Sequence, residues 1–129
     1  MYLKKDFTFD AAHRLDHYHG KCEALHGHTY RLQITLKGIP DSEDMVMDFV
    51  QLKRLVNEKA VGILDHAFLN DIIPQPTAEN IALWIWEQLA EHLEAENRSL
   101  YSVQVWETAD SSVLLDREDV DSLRGGEAR

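Results

Sequence analysis

Three histidines, His13, His26 and His28, occupy positions from which one metal ion could be held. His26 and His28 belong to the stretch CEALHGHTY, Cys22 to Tyr30, which carries the only cysteine of the chain. Side chains two apart on a strand point the same way, so His26 and His28 share a face with Tyr30, Leu32 and Ile34. His13 sits on the apolar parity of the preceding alternating run. If the two runs pair antiparallel, the imidazoles converge at one end of the apolar face. Three neutral imidazoles with an open fourth position is how catalytic Zn2+ is held. Buried polar rings need partners, and a metal supplies three at once. The competing reading is three rings hydrogen-bonded separately near the sheet end; one parity for all three favours the metal. His17 and His19 are also two apart, but in a polar loop, and read as exposed. His92 falls on the polar side of a helix and reads as surface.

Other residues near this cluster could move protons. Cys22 lies four residues before His26 and beside Lys21; a neighbouring cation favours the thiolate, which can take a proton or attack a carbon. A small buried hydrophobe is the alternative for a lone cysteine. Asp65 and His66, in GILDHAFLND, with a thiol would make a proton relay; alternatively Asp65 caps a turn and His66 is on the surface. Glu107 shares parity with Val103 and Val105, which puts a carboxylate on the core face at a strand end. Such a group wants paired donors, which a planar ring with two adjacent N–H groups, as in guanine or pterin, would supply; if the strand has already ended, Glu107 is in water. Thr77 and Glu79 are most simply a helix cap and a first-turn acid.

The elements that must position these groups are legible from periodicity. Leu3, Phe7, Phe9, Ala11 and His13 alternate with polar residues, Lys5 excepted, and read as a half-buried strand. A polar loop, Asp16 to Ala24, leads to a second strand with His28, Tyr30, Leu32, Ile34 and Leu36 on one face. Asp48 caps a helix whose apolar positions run from Phe49 through Leu52, Leu55, Val56 and Ala60 to near Gly62. After the breaker IIPQPT, Thr77 caps a second helix with Ile81, Ala82, Ile85, Leu89 and Leu93 inward, the stripe widened by Trp84 and Trp86. Tyr101 to Thr108 and Val113 to Leu115 read as a hairpin joined at Ala109 to Ser111. From Arg117 the chain reads as a polar, fraying tail. The expected fold is one α+β domain over residues 1–129, with about 117–129 as the tail. It has a four-stranded antiparallel sheet, and two helices inserted between strands two and three pack on one face.

The 129 residues suffice for one core, and 44% apolar with 28% charged is ordinary for a folded domain. A net charge of −10 argues against nucleic acid. No run approaches the ~20 apolar residues of a membrane span, and MYLKKDFTFD lacks the apolar core of a signal peptide. A single cysteine excludes an internal disulfide, and a cytoplasmic location is expected. An anionic substrate would need a local basic pocket, for which Arg14, Lys21, Arg31, Lys53 and Arg54 are candidates.

Five motifs in order, FDAAHRL, CEALHGHTY, LDHAFLN, PTAEN and WET, resemble those of the 6-pyruvoyltetrahydropterin synthase and 6-carboxytetrahydropterin synthase family, from Phe9 to about Glu107. The resemblance implies the tunnelling fold, zinc on His13, His26 and His28, Cys22 as catalytic thiol, and Asp65 and His66 as the rest of a relay. It implies Glu107 as the pterin anchor, with Thr77 to Glu79 helping to hold the ring, and assembly into a homo-oligomer, trimer or hexamer. The three-residue spacing between Cys22 and His26 is similar to that of the bacterial 6-carboxy branch, in the queuosine and deazapurine pathway. The implied reaction is zinc-dependent conversion of 7,8-dihydroneopterin triphosphate to 6-carboxy-5,6,7,8-tetrahydropterin, with release of acetaldehyde and triphosphate. A 6-pyruvoyl-type lyase that keeps the side-chain carbons, and a non-catalytic zinc-binding assembly module, are the alternatives.

Overall fold

Strands β1 (Tyr2–His13) and β2 (His26–Gly38) pair antiparallel along their whole length, from Tyr2 opposite Lys37 to His13 opposite His26. The computed structural model describes residues 1–15 and 24–128. Alternation governs both strands: Phe7, Phe9, Ala11, Tyr30, Leu32 and Ile34 are buried on one face, while Asp6, Thr8, Asp10, Thr29 and Arg31 are exposed on the other. Each large apolar side chain so buried contributes roughly 1.5–3 kcal/mol. Lys5, the one charge on the apolar parity, runs its stem along the core and ends 5.9 Å from the Phe7 and Phe49 ring centres.

The sheet has five strands, not the expected four, in the order β3-β1-β2-β4-β5. β4 (Arg98–Thr108) pairs antiparallel with β2, and β5 (Ser111–Asp116) antiparallel with β4. The added strand, β3 (Ala67–Phe68), is parallel to β1 at Ala11 and Ala12. Two anchors create it: the Asp10 N–H donates to Asp65 Oδ1 at 2.9 Å, and the His66 N–H donates to the Asp10 carbonyl at 2.6 Å. His66 itself has φ 60, a left-handed turn that redirects the chain into the strand.

Between β2 and β4 lie the two expected helical segments. The first is α1 (Phe49–Val56), a π-helical turn (Asn57–Val61) and α2 (Gly62–Leu64) in succession. Asp48 caps it, accepting from the Val50 N–H. A side chain at Gly62 would strike the Asn57 carbonyl oxygen, 2.6 Å from an added Cβ, so glycine admits the wider turn. The second is α3 (Ala78–Leu93), capped by Thr77, whose Oγ1 accepts from the Asn80 N–H at 3.1 Å. Its buried residues Ile81, Ala82, Ile85, Trp86, Leu89 and Leu93 join the apolar sheet face in one core.

In place of the expected polar tail, the C-terminal stretch forms α4 (Arg117–Ala128). Reciprocal bonds start it, Asp119 N–H to Asp116 Oδ1 at 2.8 Å and Asp116 N–H to Asp119 Oδ2 at 3.0 Å. Burial of Val120 and the Arg117 guanidinium 5.3 Å from the Trp86 ring centre tie it to α3. Among the described residues, no helix is long and apolar enough to cross a membrane.

Candidate metal centre and active site

The antiparallel register sets His13 directly opposite His26, and His28 opposite Ala11, so all three rings gather at one end of the buried face. Ring centres lie 4.6 to 5.2 Å apart in edge-on pairs. His13 Nδ1 is 2.8 Å from the Pro76 carbonyl oxygen, and His26 Nδ1 is 2.6 Å from that of Ala24. A carbonyl only accepts, so each Nδ1 carries the hydrogen and each neutral ring keeps its lone pair on Nε2. Those two Nε2 atoms are 3.0 Å apart. At that distance a proton or a metal cation between them would satisfy both lone pairs.

His28 completes the group. Its Nε2 is buried without a hydrogen-bond partner among the described residues, 3.4 Å from Glu107 Oε1. Burial, more than any neighbouring charge, pulls the His28 pKa below the ordinary 6.5; His26 and His13 push the same way and Glu107 opposes them. The shift favours the neutral ring, the form that can ligate a metal. Glu107 Oε1 is also 3.2 Å from Nε2 of the fully buried His13. Four donor atoms, from His13, His26, His28 and Glu107, all lie within 4.8 Å of one another. The orphaned His28 nitrogen and the facing lone pairs fit a bound divalent cation.

Glu107 reaches this group through a β-bulge. Trp106 pairs with Ser112 and Thr108 with Ser111, which leaves Glu107 without a cross-strand partner. A bulge re-aims a side chain at a strand end, and here the carboxylate lies on the side of Val103 and Val105, one quarter exposed.

Asp65 and His66 form a second, separate constellation. Asp65 Oδ2 is 3.0 Å from His66 Nδ1. The Asp10 backbone N–H is the chief cause of a lowered Asp65 pKa; His66 adds to it and desolvation opposes. Asp10 belongs to the same group of exposed donors, and its carboxylate accepts from the Thr29 hydroxyl. Sequence reasoning did not single out Asp10; its place on the exposed parity of β1, three residues before His13, was the available signal. His66, Asp10 and Thr29 help line an open cleft of about 470 Å3 that also touches Gly27 and His28.

Cys22, with His17, His19 and Lys21, lies outside the described residues. Thr77 uses its hydroxyl as the α3 cap. Glu79 is exposed in the first turn of α3, on a groove shared with Leu114 of β5 and Asp119 of α4, and is not in the metal-ligating group. Arg31 is engaged by Asp6 at 3.1 Å and by the Trp106 ring, its guanidinium carbon 4.0 Å from the ring centre.

Comparison with known proteins gives this geometry a context. A sequence model described as 6-pyruvoyl tetrahydropterin synthase matches residues 2–118. A protein of Synechocystis sp. named 6-carboxy-5,6,7,8-tetrahydropterin synthase is 42% identical over 117 residues, covering 85% of this chain and 88% of its own. The dihydroneopterin monophosphate aldolase of Pyrococcus furiosus is 39% identical over 109 residues, 84% of this chain and 91% of its own. The solved 6-pyruvoyl tetrahydropterin synthase of Caenorhabditis elegans superposes with a TM-score of 0.79 at 26% identity, covering 90% of this chain and 94% of that one.

Proposed function

The chain belongs to the 6-pyruvoyl tetrahydropterin synthase family, and from that premise we propose that it is a zinc-dependent 6-carboxy-5,6,7,8-tetrahydropterin synthase. It acts on 7,8-dihydroneopterin triphosphate, releases acetaldehyde and triphosphate, and works in the cytoplasm on the queuosine and deazapurine route. The convergence of His13, His26 and His28, with facing lone pairs and a buried orphan nitrogen, is the observation that carries this reading. The 42% identical relative of that name supports the choice of reaction.

His13, His26 and His28 hold the ion. Bound there, zinc supplies Lewis-acid polarisation of the substrate's side-chain oxygens. Glu107 fixes the pterin ring by accepting two parallel N–H bonds, so that the side chain lies toward the imidazoles. The Thr77–Glu79 turn helps hold the ring. Cys22, as thiolate, takes a carbon-bound proton, and His66, oriented by Asp65 at 3.0 Å, passes protons onward. The sheet ends at β5 on one side and at the two-residue β3 on the other; assembly into a trimer or hexamer gives such edges a partner.

One relative, at 39% identity, is named an aldolase for a dihydroneopterin monophosphate, which supports a second reading: carbon–carbon cleavage leaving a one-carbon alcohol on the ring. Incubation of the zinc-loaded protein with 7,8-dihydroneopterin triphosphate, and separately the monophosphate, with products identified by mass spectrometry, decides. A 6-carboxy pterin with acetaldehyde, lost in Cys22→Ala, supports the synthase. A hydroxymethyl pterin establishes the aldolase, and a product retaining all side-chain carbons establishes a 6-pyruvoyl-type lyase. Unchanged substrate with zinc bound leaves a non-catalytic zinc module.

A further inference from the structure

The Pro76 carbonyl that sets the His13 tautomer is itself held by a short chain of bonds. His13 is fully buried, and its Nδ1 meets that carbonyl oxygen at 2.8 Å. The other edge of the same peptide, the Thr77 N–H, donates to the Gln75 carbonyl at 2.8 Å, closing a three-residue turn with Pro76 at its centre. Gln75 stands at φ 48, a conformation that a non-glycine side chain keeps only when its surroundings impose it. The Gln75 carbonyl accepts a second bond, from Asn80 Nδ2 at 2.8 Å. Asn80 is anchored in turn at the third position of α3, where its own N–H donates to the Thr77 hydroxyl.

We infer that Asn80 is a positioning residue for the metal centre: its side-chain amide holds the Gln75–Thr77 turn so that the Pro76 carbonyl orients His13 with Nε2 toward the ion. The inference rests on the reading of His13, His26 and His28 as metal ligands. Among the described residues the Nδ1 partner is a backbone carbonyl, so the turn that carries it sets where that acceptor stands. Outer partners of metal-bound histidines typically govern affinity by about 10- to 100-fold.

Asn80→Asp separates this role from helix stability. A carboxylate at the third helical position suits the helix N-terminus and keeps the backbone bond to Thr77. It cannot donate to the Gln75 carbonyl, and it sets one acceptor against another. Zinc affinity, measured by competition with a chromophoric chelator, is expected to fall about 10- to 100-fold in Asn80→Asp, while the metal-free protein stays folded, its urea midpoint lowered only by the loss of one part-buried hydrogen bond. The visible absorption of the cobalt-loaded protein is expected to shift as well. Asn80→Gln, which retains an amide donor, recovers much of the affinity. Wild-type zinc affinity and an unshifted cobalt spectrum in Asn80→Asp overturn the positioning role while leaving the metal centre intact. A wild-type protein that binds neither metal overturns both.

Discussion

His13 Nε2 and His26 Nε2 face each other at 3.0 Å, and each ring's other nitrogen donates to a backbone carbonyl. Neither ring can rotate its lone pair away without losing a bond of 2.8 or 2.6 Å. With both rings neutral the two lone pairs face each other, an arrangement that a shared metal ion would satisfy. Zinc is expected to bind one ion per chain and to raise the melting temperature, by about 4 kcal/mol of stabilisation at a thousandfold excess over Kd. A chelator reverses the gain. His28→Ala, which removes the imidazole whose Nε2 has no hydrogen-bond partner among the described residues, is expected to abolish the zinc-dependent rise with little loss of metal-free stability. A zinc-dependent shift equal to wild type in that variant would remove His28 from the site.

The metal-free protein also carries a pH signature. Burial holds the His28 pKa below 6.5 in the folded state, whereas the unfolded chain titrates at the ordinary value. Between the two values the unfolded state binds more protons, so stability rises with pH across that window. Acidification from pH 7 through 6.5 and below therefore destabilises the protein, and the loss levels off once the folded-state ring also protonates. Urea midpoints measured across this range in chelator are expected to show the slope, and His28→Asn to flatten it. A wild-type profile no steeper than that of the variant would contradict the assignment.

Asp65 Oδ2 lies 3.0 Å from His66 Nδ1, while Oδ1 holds the Asp10 N–H at 2.9 Å. Asp65→Asn can preserve the second contact but not the charge that orients and supports the imidazole. If the pair moves protons, kcat falls about 10²- to 10⁴-fold, with KM and zinc content unchanged. His66→Gln gives a loss of similar size, and the double variant is no worse than either alone, since the pair acts as a unit. Losses that multiply in the double variant would count against a shared relay.

Gly38 ends β2 where the chain crosses close to the Asn97–Arg98 turn. An added Cβ there would collide with the Asn97 carbonyl oxygen and come within 2.9 Å of the Arg98 Cβ. Gly38→Ala must move backbone to fit, and a destabilisation of about 1–3 kcal/mol in urea is expected. The histidine cluster is at the other end of β2, so zinc affinity is expected at the wild-type level. A wild-type urea midpoint would show that the turn yields freely.

Much of this architecture was legible because period-two alternation places side chains before any contact is known. The parity of His13, His26, His28 and Glu107 matched the face they occupy, and Asp48 and Thr77 cap the two helices as their types and positions indicated. What escaped depends on distant partners. β3 is two residues long, and its pairing rests on Asp65 and His66 bonding to Asp10, more than fifty positions away in sequence. α4 has a polar composition; it is fixed by the Asp116–Asp119 bonds and by packing on Trp86, neither of which has a local period. The Pro76 carbonyl is invisible to sequence reading, since every residue carries one.

Glu107 allows a last discrimination. Its Oε1 is 3.2 Å from His13 Nε2 and 3.4 Å from His28 Nε2, a place from which it could either complete the metal shell or reach a bound ring. Three imidazoles with one position open suffice for a catalytic zinc, so the carboxylate is not required for an ion there. A ring edge with two N–H groups, by contrast, loses a paired charged acceptor in Glu107→Gln and meets an N–H of the new amide instead. Charge-assisted bonds of this kind contribute about 1.5–3 kcal/mol, so kcat/KM is expected to fall about 10- to 100-fold, carried mainly by KM, with zinc affinity at the wild-type level. If Glu107→Gln instead loses zinc while binding of a dihydropterin to the metal-free protein is unchanged, Glu107 is a fourth ligand and the ring is anchored elsewhere.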